Sequence, residues 1–341
     1  MTGVALIGLG MVSATYAAAL RDLMPDMRLT GVLSARAETG QLWVAKHAGL
    51  TDRVYADVHQ IATDPAVDFA IITTPPNARA DLVAPLAAAG KAILMEKPVE
   101  RSLAGATHLV DLCEKAGVPL GIVLQHRARP VVAALRARLG DFGALRAAEV
   151  AVPWWRPQAY YDVPGRGSYG RDGGGVLISQ AIHTMDLMLS LTGPVTDVQA
   201  MCATTEFHHM EAEDFVTAGL RFANGAVGSF FASTASFPGR GETITLHFAK
   251  ASVRLESNVL SVDWQDGRSE CLGQAATSGA GADPMAFTHD WHRSVIADFA
   301  QALAKGRAPM VTGRKALEVH RLIAAIEQSG RAGARVSLEQ I

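Results

Sequence analysis

Short apolar runs at 4–7, 29–33, 69–73, 92–95 and 120–124 alternate with longer stretches of helical period, among them 14–23, 78–89 and 104–116. That alternation marks parallel strands joined by crossover helices, and it predicts a doubly wound α/β sheet over residues 1–122. Gly90 and Gly117 follow two of the helices, where a left-handed residue ends a helix. From about 144 the pattern changes. Runs at 144–152, 196–203, 213–222, 226–233, 243–248, 252–257 and 259–264 read as strands with few helices between them. They predict an α+β second domain, 123–341, with a large, mostly antiparallel sheet. Asn224-Gly225 predicts a hairpin with a type I′ turn, which needs positive φ at both central residues. Two closing helices, 286–304 and 314–329, carry the stripes Trp291, Val295, Phe299 and Val319, Ile323, Ile326, and are expected to pack back on the second domain.

Length agrees with two domains, since 341 residues exceed one typical core. A 49% hydrophobic and 19% charged composition predicts a folded chain. The net charge of −2 and pI near 6.6 exert no long-range pull on nucleic acid or acidic membranes. The basic stretch from Arg127 to Arg138 is read as a solvated helix face. Cys113, Cys202 and Cys271 are odd in number and far apart, matching neither a zinc pattern nor a small disulfide framework, which suits a reducing compartment. No basic segment leads into an apolar one at the N-terminus, and no window approaches the ~18 uninterrupted apolar residues of a membrane span. A soluble, cytoplasmic protein is expected.

Gly8-Leu9-Gly10-Met11-Val12-Ser13 follows a strand and opens a helix, the setting a dinucleotide fingerprint requires. Gly8 allows the tight turn, Gly10 lets the backbone approach the pyrophosphate, and the helix start at Met11 and Val12 supplies unpaired N–H groups. Where an acidic residue would bind the adenosine ribose, the second strand ends in Ser34 with Arg36 two residues on. A hydroxyl and a guanidinium accept a 2′-phosphate that a carboxylate repels, so the expected cofactor is NAD(P), with NADP favoured over NAD. Glu96-Lys97-Pro98 ends the fourth apolar run. Lys97 therefore stands at the carboxyl edge of the sheet, where such a ligand lies.

With these pieces in order, the chain resembles the Gfo/Idh/MocA oxidoreductases. The matching segments are Gly8-Leu9-Gly10, Thr73-Thr74-Pro75-Pro76-Asn77, Glu96-Lys97-Pro98, Gln125-His126-Arg127, Gly173-Gly174-Gly175 through His183 to Asp186, and Asp298-Phe299 to Gly306-Arg307-Ala308-Pro309. The resemblance implies an N-terminal Rossmann domain and a C-terminal domain whose open sheet makes a homodimer or homotetramer face. It also implies hydride exchange between NAD(P) and a secondary alcohol carbon of a sugar, polyol or cyclitol. Thr74, Pro75, Asn77 and Arg127 would line the cofactor, and Glu96 and Lys97 would sit by the nicotinamide ribose. Three positions depart from the family pattern: Ser179 replaces an aspartate four residues before the histidine, Tyr16 a histidine after the glycine turn, and Ala80 another histidine.

Ser179, His183, Asp186 and Ser190 recur at helical spacing beside the apolar Ile178, Ile182, Met185 and Leu189. An alcohol releases hydride only as its proton leaves, and imidazole titrates near working pH, so His183 is the expected general base. Lys97 would stabilise the developing negative charge on the oxygen and share or take over proton transfer, with Ser179 orienting the groups. Asp186 is balanced between site and core. Trp155, Arg156, Tyr161 and Arg166, in an aromatic and glycine-rich stretch that ends at Arg171, are candidates for the substrate wall, through stacking on sugar faces and guanidinium forks. Residues 273–284 are a candidate lid. The pairs His208-His209 and His289…His292 lack ligand partners at metal spacing and are read as surface or interface residues, with His289 also a candidate to approach the cleft, and no metal is expected. Two alternatives stand beside this reading: a nucleotide-linked sugar acid 3-dehydrogenase, and a cofactor-binding regulator without turnover.

Overall fold

The apolar runs of the first domain become strands β1 (Thr2–Ile7), β2 (Met27–Leu33), β3 (Phe69–Ile72), β4 (Ala92–Glu96) and β5 (Leu120–Val123) in the computed structural model, which describes residues 1–275, 280, 281, 283, 285 and 287–341. Between them lie helices α1 (Ser13–Asp22), α2 (Ala37–Lys46), α3 (Val58–Thr63), α4 (Ala80–Ala88) and α5 (Leu103–Lys115). There follow α6 (Pro130–Arg138), β6 (Leu145–Pro153), α7 (Gln158–Tyr161), α8 (Ile182–Thr192), β7 (Val195–Ala203), β8 (Phe215–Phe222), β9 (Val227–Ser233) and β10 (Thr243–Phe248). The chain continues through β11 (Ala251–Glu256), β12 (Val259–Trp264), β13 (Ser269–Gly273), α9 (Asp290–Lys305), α10 (Gly313–Ala332) and β14 (Val336–Ser337). These residues divide into two compact units, Met1–Gln125 with His289–Leu317, and His126–Thr288 with Glu318–Ile341.

The first unit holds a parallel sheet in the order β2-β1-β3-β4-β5. Leu6, Ile71 and Ile93 are wholly buried, as strands covered on both faces require. The order reverses between β1 and β3, so the loops at the carboxyl ends of those strands form the crevice where such sheets take ligands. The closing helix α9 groups with this unit and not with the second domain. Phe299 packs edge-on against Phe69 with ring centroids 5.2 Å apart. Gly121 makes room for it, since a Cβ there would lie 2.6 Å from the Phe299 ring. A periodic stripe announces a buried face, but not which core buries it.

The second unit is built on a nine-stranded sheet, β13-β12-β11-β10-β6-β9-β8-β7-β14, antiparallel throughout except for the β6–β9 pair. Burial alternates along β8 and β10, so one face is covered and the other is open. Helix α10 closes on β7, where Ser329 Oγ accepts from the Ala200 amide at 2.9 Å and donates to the Ala334 carbonyl at 2.6 Å. The Asn224-Gly225 hairpin joins β8 to β9, but its turn is not type I′. Gly225 has φ +85° whereas Asn224 stays outside the left-handed region, and the Gly225 amide closes on the Phe222 carbonyl at 2.9 Å. That is a type I turn with a glycine bulge, and the Asn224 side chain supports it by accepting from the Ala226 amide. Edge strand β13 is mostly exposed, which is why no apolar alternation announced it.

The basic stretch is also corrected. Arg127 and Arg129 are buried, not solvated, because each meets a buried carboxylate: Arg127 with Asp186 and Arg129 with Glu242, both at 2.6 Å. Arg129 also donates to the Ser257 carbonyl at 2.6 Å. Among the described residues, no helix is long and apolar enough to cross a membrane.

Candidate active site

Two sets of chemistry-bearing residues emerge, one in each unit. In the first, Gly8 at the end of β1 adopts φ +96°, and a Cβ there would fall 2.8 Å from the Thr74 amide. Only glycine suits both conditions. At Gly10 a Cβ would meet nothing within 4 Å, so protein packing is not what calls for a glycine there. Ser13 locks the turn from inside, donating to the Gly10 carbonyl at 2.7 Å and accepting from Trp43 Nε1 at 3.1 Å. Thr73 Oγ1 donates to the Gly8 carbonyl at 2.6 Å, tying β3 to the same turn. Beside it, Thr74 Oγ1 is buried with no hydrogen-bond partner. An orphaned hydroxyl next to an unobstructed glycine turn fits a polar ligand lying across this edge. Met11, Pro75, Asn77 and Arg36 are exposed, while Val12 and Ser34 are half-buried.

The Glu96-Lys97-Pro98 segment leaves β4 at that same edge. Glu96 is buried: its Oε1 accepts from the Tyr16 hydroxyl at 2.7 Å, its Oε2 from the Lys97 amide at 3.1 Å, and His292 Nε2 stands 3.7 Å away. Burial would raise the Glu96 carboxyl, but His292, Lys97 and Tyr16 hold it below its ordinary value. Arg79, only 2% exposed, grips the other side. Its guanidinium donates to the carbonyls of Thr74 (2.9 Å), Glu96 (2.5 Å), Lys97 (3.4 Å) and Pro98. Burial lowers its pKa to about 10, which leaves it cationic at neutral pH. The half-buried Lys97 is thus fixed through its own N–H and C=O by two buried side chains of opposite charge.

Neither Arg79 nor His292 was singled out as a site residue in the sequence, and Tyr16 only as a departure. The available signal was Arg79 itself, one arginine between alanines just past the Pro75-Pro76 turn. His292 was read as a surface or interface residue. It is 1% exposed, with its ring edge-on to Tyr16 at 5.5 Å, because α9 belongs to this unit. His289 is partly exposed and pairs with Asp22 at 2.8 Å. Asp22, His289 and Asp290 are the one group among the described residues with metal-ligand spacing, but Arg293 already approaches both carboxylates.

In the second unit, His183 lies on α8, whose residues 182–189 are all buried, so it is a core helix rather than one with a polar face. His183 is 6% exposed, and its ring lies 5.0 Å from that of the equally buried His126. Asp186, one turn on, receives both Nε (2.7 Å) and Nη2 (2.6 Å) of Arg127. Arg127, expected at the cofactor, is therefore engaged by Asp186. The glycine run before α8 is set by Glu213. Its carbonyl accepts from Val176 (2.8 Å) and its carboxylate from the Gly175 (3.2 Å) and Leu177 (3.0 Å) amides. A Cβ at Gly175 would lie 1.8 Å from the Glu213 carbonyl oxygen, which excludes any other residue there. Ser179 is half-buried in the π turn Leu177–Ala181 that leads into α8.

The expected substrate wall is largely framework. Arg156 is 2% exposed and donates to the Trp155 (2.8 Å) and Gly281 (2.5 Å) carbonyls. Tyr161 is buried, its hydroxyl 2.7 Å from Thr234 Oγ1. Arg166 stacks over the Tyr160 ring at 4.2 Å and donates to the Tyr160 carbonyl. Trp155 is half-buried, with the exposed rings of Phe207 and Phe237 edge-on to it at 5.9 and 5.4 Å. His208 was read as a surface or interface residue and its side chain is instead wholly internal: Nδ1 meets Asp214 at 2.6 Å and Nε2 the Arg156 carbonyl at 2.8 Å. That pair pins the Trp155-Arg156 segment. The proposed lid at 273–284 falls in part on 276–279, 282 and 284, outside the described residues.

Residues 2–123 match the oxidoreductase family with an NAD-binding Rossmann fold, and residues 133–254 the GFO/IDH/MocA C-terminal domain. The chain belongs to the GFO/IDH/MocA oxidoreductase family. As a member it is an NAD(P)-binding dehydrogenase. It is 27% identical to the D-apiose dehydrogenase of Paraburkholderia graminis, over 99% of this chain and 90% of that one. It is also 27% identical to the scyllo-inositol 2-dehydrogenase (NAD(+)) of Bacillus subtilis, over 68% of this chain and 67% of that one. The WlbA dehydrogenase of Bordetella pertussis, solved with NADH and UDP-GlcNAcA, superposes with a TM-score of 0.82 at 27% identity, covering 98% of each chain. Levoglucosan dehydrogenase shares the fold, with a TM-score of 0.87 at 21% identity over 99% of each chain.

Proposed function

We propose that this dehydrogenase transfers hydride between NAD(P) and a secondary alcohol or ketone carbon of a sugar, polyol or cyclitol, with Lys97 and His183 as its catalytic residues. The observation that carries the reading is the doubly clamped Lys97 at the carboxyl edge of β4, beside the glycine turn. When bound, the nicotinamide accepts or gives the hydride. Lys97 hydrogen-bonds the reacting oxygen and stabilises its growing negative charge. His183 takes the hydroxyl proton in oxidation and returns it in reduction. Ser179 can orient these groups but adds no charge, so more of the electrostatic work falls to Lys97. The named activities of the apiose and inositol dehydrogenases support the substrate class.

The preference for NADP over NAD is part of the same proposal. It rests on Ser34 and the exposed Arg36 where a ribose-binding carboxylate would stand. A homodimer or homotetramer through the open face of the nine-stranded sheet is also proposed, supported by exposed Met201 and Val227 on that face. The compartment proposed is the cytoplasm, and the unpaired Cys113, Cys202 and Cys271 agree with it. A nucleotide-sugar substrate is the second reading, supported by the WlbA likeness. Against it, Arg156, Arg166 and Arg171, the candidates for phosphate, all donate to backbone carbonyls.

The test is absorbance at the reduced-nicotinamide band with NAD or NADP and a panel of myo-inositol, scyllo-inositol, D-apiose and levoglucosan. Turnover of at least one is expected, with Lys97→Met and His183→Ala each lowering kcat by about 100-fold or more. Cofactor binding without turnover on any polyol or UDP-sugar acid would overturn the reading, as would a Lys97→Met variant at full rate.

A further inference from the structure

The buried Glu96 carboxylate is held by Tyr16, His292 and the Lys97 amide. One carboxylate oxygen takes the Tyr16 hydroxyl at 2.7 Å and faces His292 at 3.7 Å, while the other takes the Lys97 amide at 3.1 Å. Tyr16 comes from α1 and His292 from α9, and their rings meet edge to face at 5.5 Å. Two helices far apart in sequence therefore touch each other where both touch the carboxylate. We propose that Tyr16 and His292 are positioning residues for the reaction, which fix the Glu96 carboxylate beneath Lys97 and through it the orientation and charge of the lysine. This rests on the catalytic role given to Lys97 above.

The chemistry follows from the donors. Burial, and then the Glu96 charge, raise the Tyr16 phenol well above its ordinary range, so it stays protonated and donates throughout the working pH range. Glu96 remains an anion under the opposing pulls already described. The charged and titratable groups around it are Tyr16 from α1, His292 from α9, Lys97 on its own turn, and Arg79 before α4, itself facing Glu100. An anion locked in this ring favours the ammonium form of its neighbour by a fixed amount. With one donor lost, the carboxylate is less neutralised and free to turn toward Lys97, which strengthens that preference and lets the lysine tilt away from its working orientation.

The test follows Lys97 directly in the cofactor-loaded protein. Lysines are reductively methylated with 13C, and the Lys97 resonance is assigned by its loss in Lys97→Arg. Tyr16→Phe keeps the ring and deletes the donor, and His292→Gln keeps a donor and deletes the imidazole. Each is expected to raise the Lys97 titration midpoint by about half a pH unit or more, and Glu96→Gln to lower it. In a Glu96→Gln background, Tyr16→Phe and His292→Gln are expected to have no further effect, since they act through that carboxylate. On a polyol that is turned over, both single variants should lose about five- to tenfold in kcat with KM for the cofactor within about twofold. Wild-type titration in both variants, or shifts that persist additively without Glu96, would overturn the inference. If Lys97→Met is inactive while both variants titrate normally, this inference alone fails; if Lys97→Met is fully active, the catalytic reading fails with it.

Discussion

Asp186 receives two parallel hydrogen bonds from Arg127, at 2.7 and 2.6 Å, with both side chains at most 5% exposed. Burial raises the Asp186 carboxyl while Arg127 pulls it down. Truncating one partner strands the other charge in the core. Asp186→Ala is expected to cost about 3–5 kcal/mol in urea unfolding, and the double replacement of Arg127→Met with Asp186→Leu much less. If Arg127 instead served the cofactor, Arg127→Met would weaken cofactor binding in a protein of normal stability.

The two glycines of the nucleotide turn should separate fold from binding. Gly8→Ala must adopt φ +96° and press on Thr74, so both stability and cofactor affinity should fall. At Gly10 an added methyl meets no protein atom within 4 Å. Gly10→Ala should change the unfolding free energy by less than about 0.5 kcal/mol while weakening cofactor binding at least about tenfold. Calorimetric titration beside urea melts would show both.

Glu327 gives a pH signature in the second unit. Burial and the nearby Glu213 charge push its carboxyl up to about 7, against the pull of Arg331. Between its ordinary value and about 7 the folded state binds more protons than the unfolded one. Stability should therefore be greatest below that window and decline as pH rises through about 7, by on the order of 1–2 kcal/mol after allowing for partial exposure. Glu327→Gln should flatten the melting-temperature profile between about pH 5 and pH 8. A slope unchanged by that substitution would assign it elsewhere.

Arg36 carries the cofactor preference in this reading. Arg36→Ala is expected to raise KM for NADP about tenfold and leave KM for NAD within about twofold. Equal changes for both cofactors would remove the 2′-phosphate contact.

The doubly wound sheet was legible because each of its strands is a short apolar run closed by turn residues, which puts Gly8 and Lys97 just past the ends of β1 and β4. The polar row expected through His183 was not there to read, since residues 182–189 of α8 are all buried. Much of what the pattern missed depended on contacts across long sequence separation. Arg127 and Arg129 read as solvated because their carboxylates, Asp186 and Glu242, lie 59 and 113 residues away. His292 carries no local mark of the distant Glu96 side chain that makes its burial tolerable, whereas His208 meets Asp214 only six residues on, across a loop that no periodic pattern marks. Arg156 and Tyr161 have the chemistry of a sugar-binding wall, yet spend it on carbonyls and Thr234.

Because α9 completes the nucleotide-binding unit, a gene fragment ending at residue 125 would yield a Rossmann half with Phe69 uncovered and no imidazole near Glu96. On the ribosome, that half must wait for more than half of the polypeptide to emerge before its last layer can dock. Swapping cofactor modules between relatives at residue 125 would transplant an unfinished piece; a faithful graft carries α9 with it.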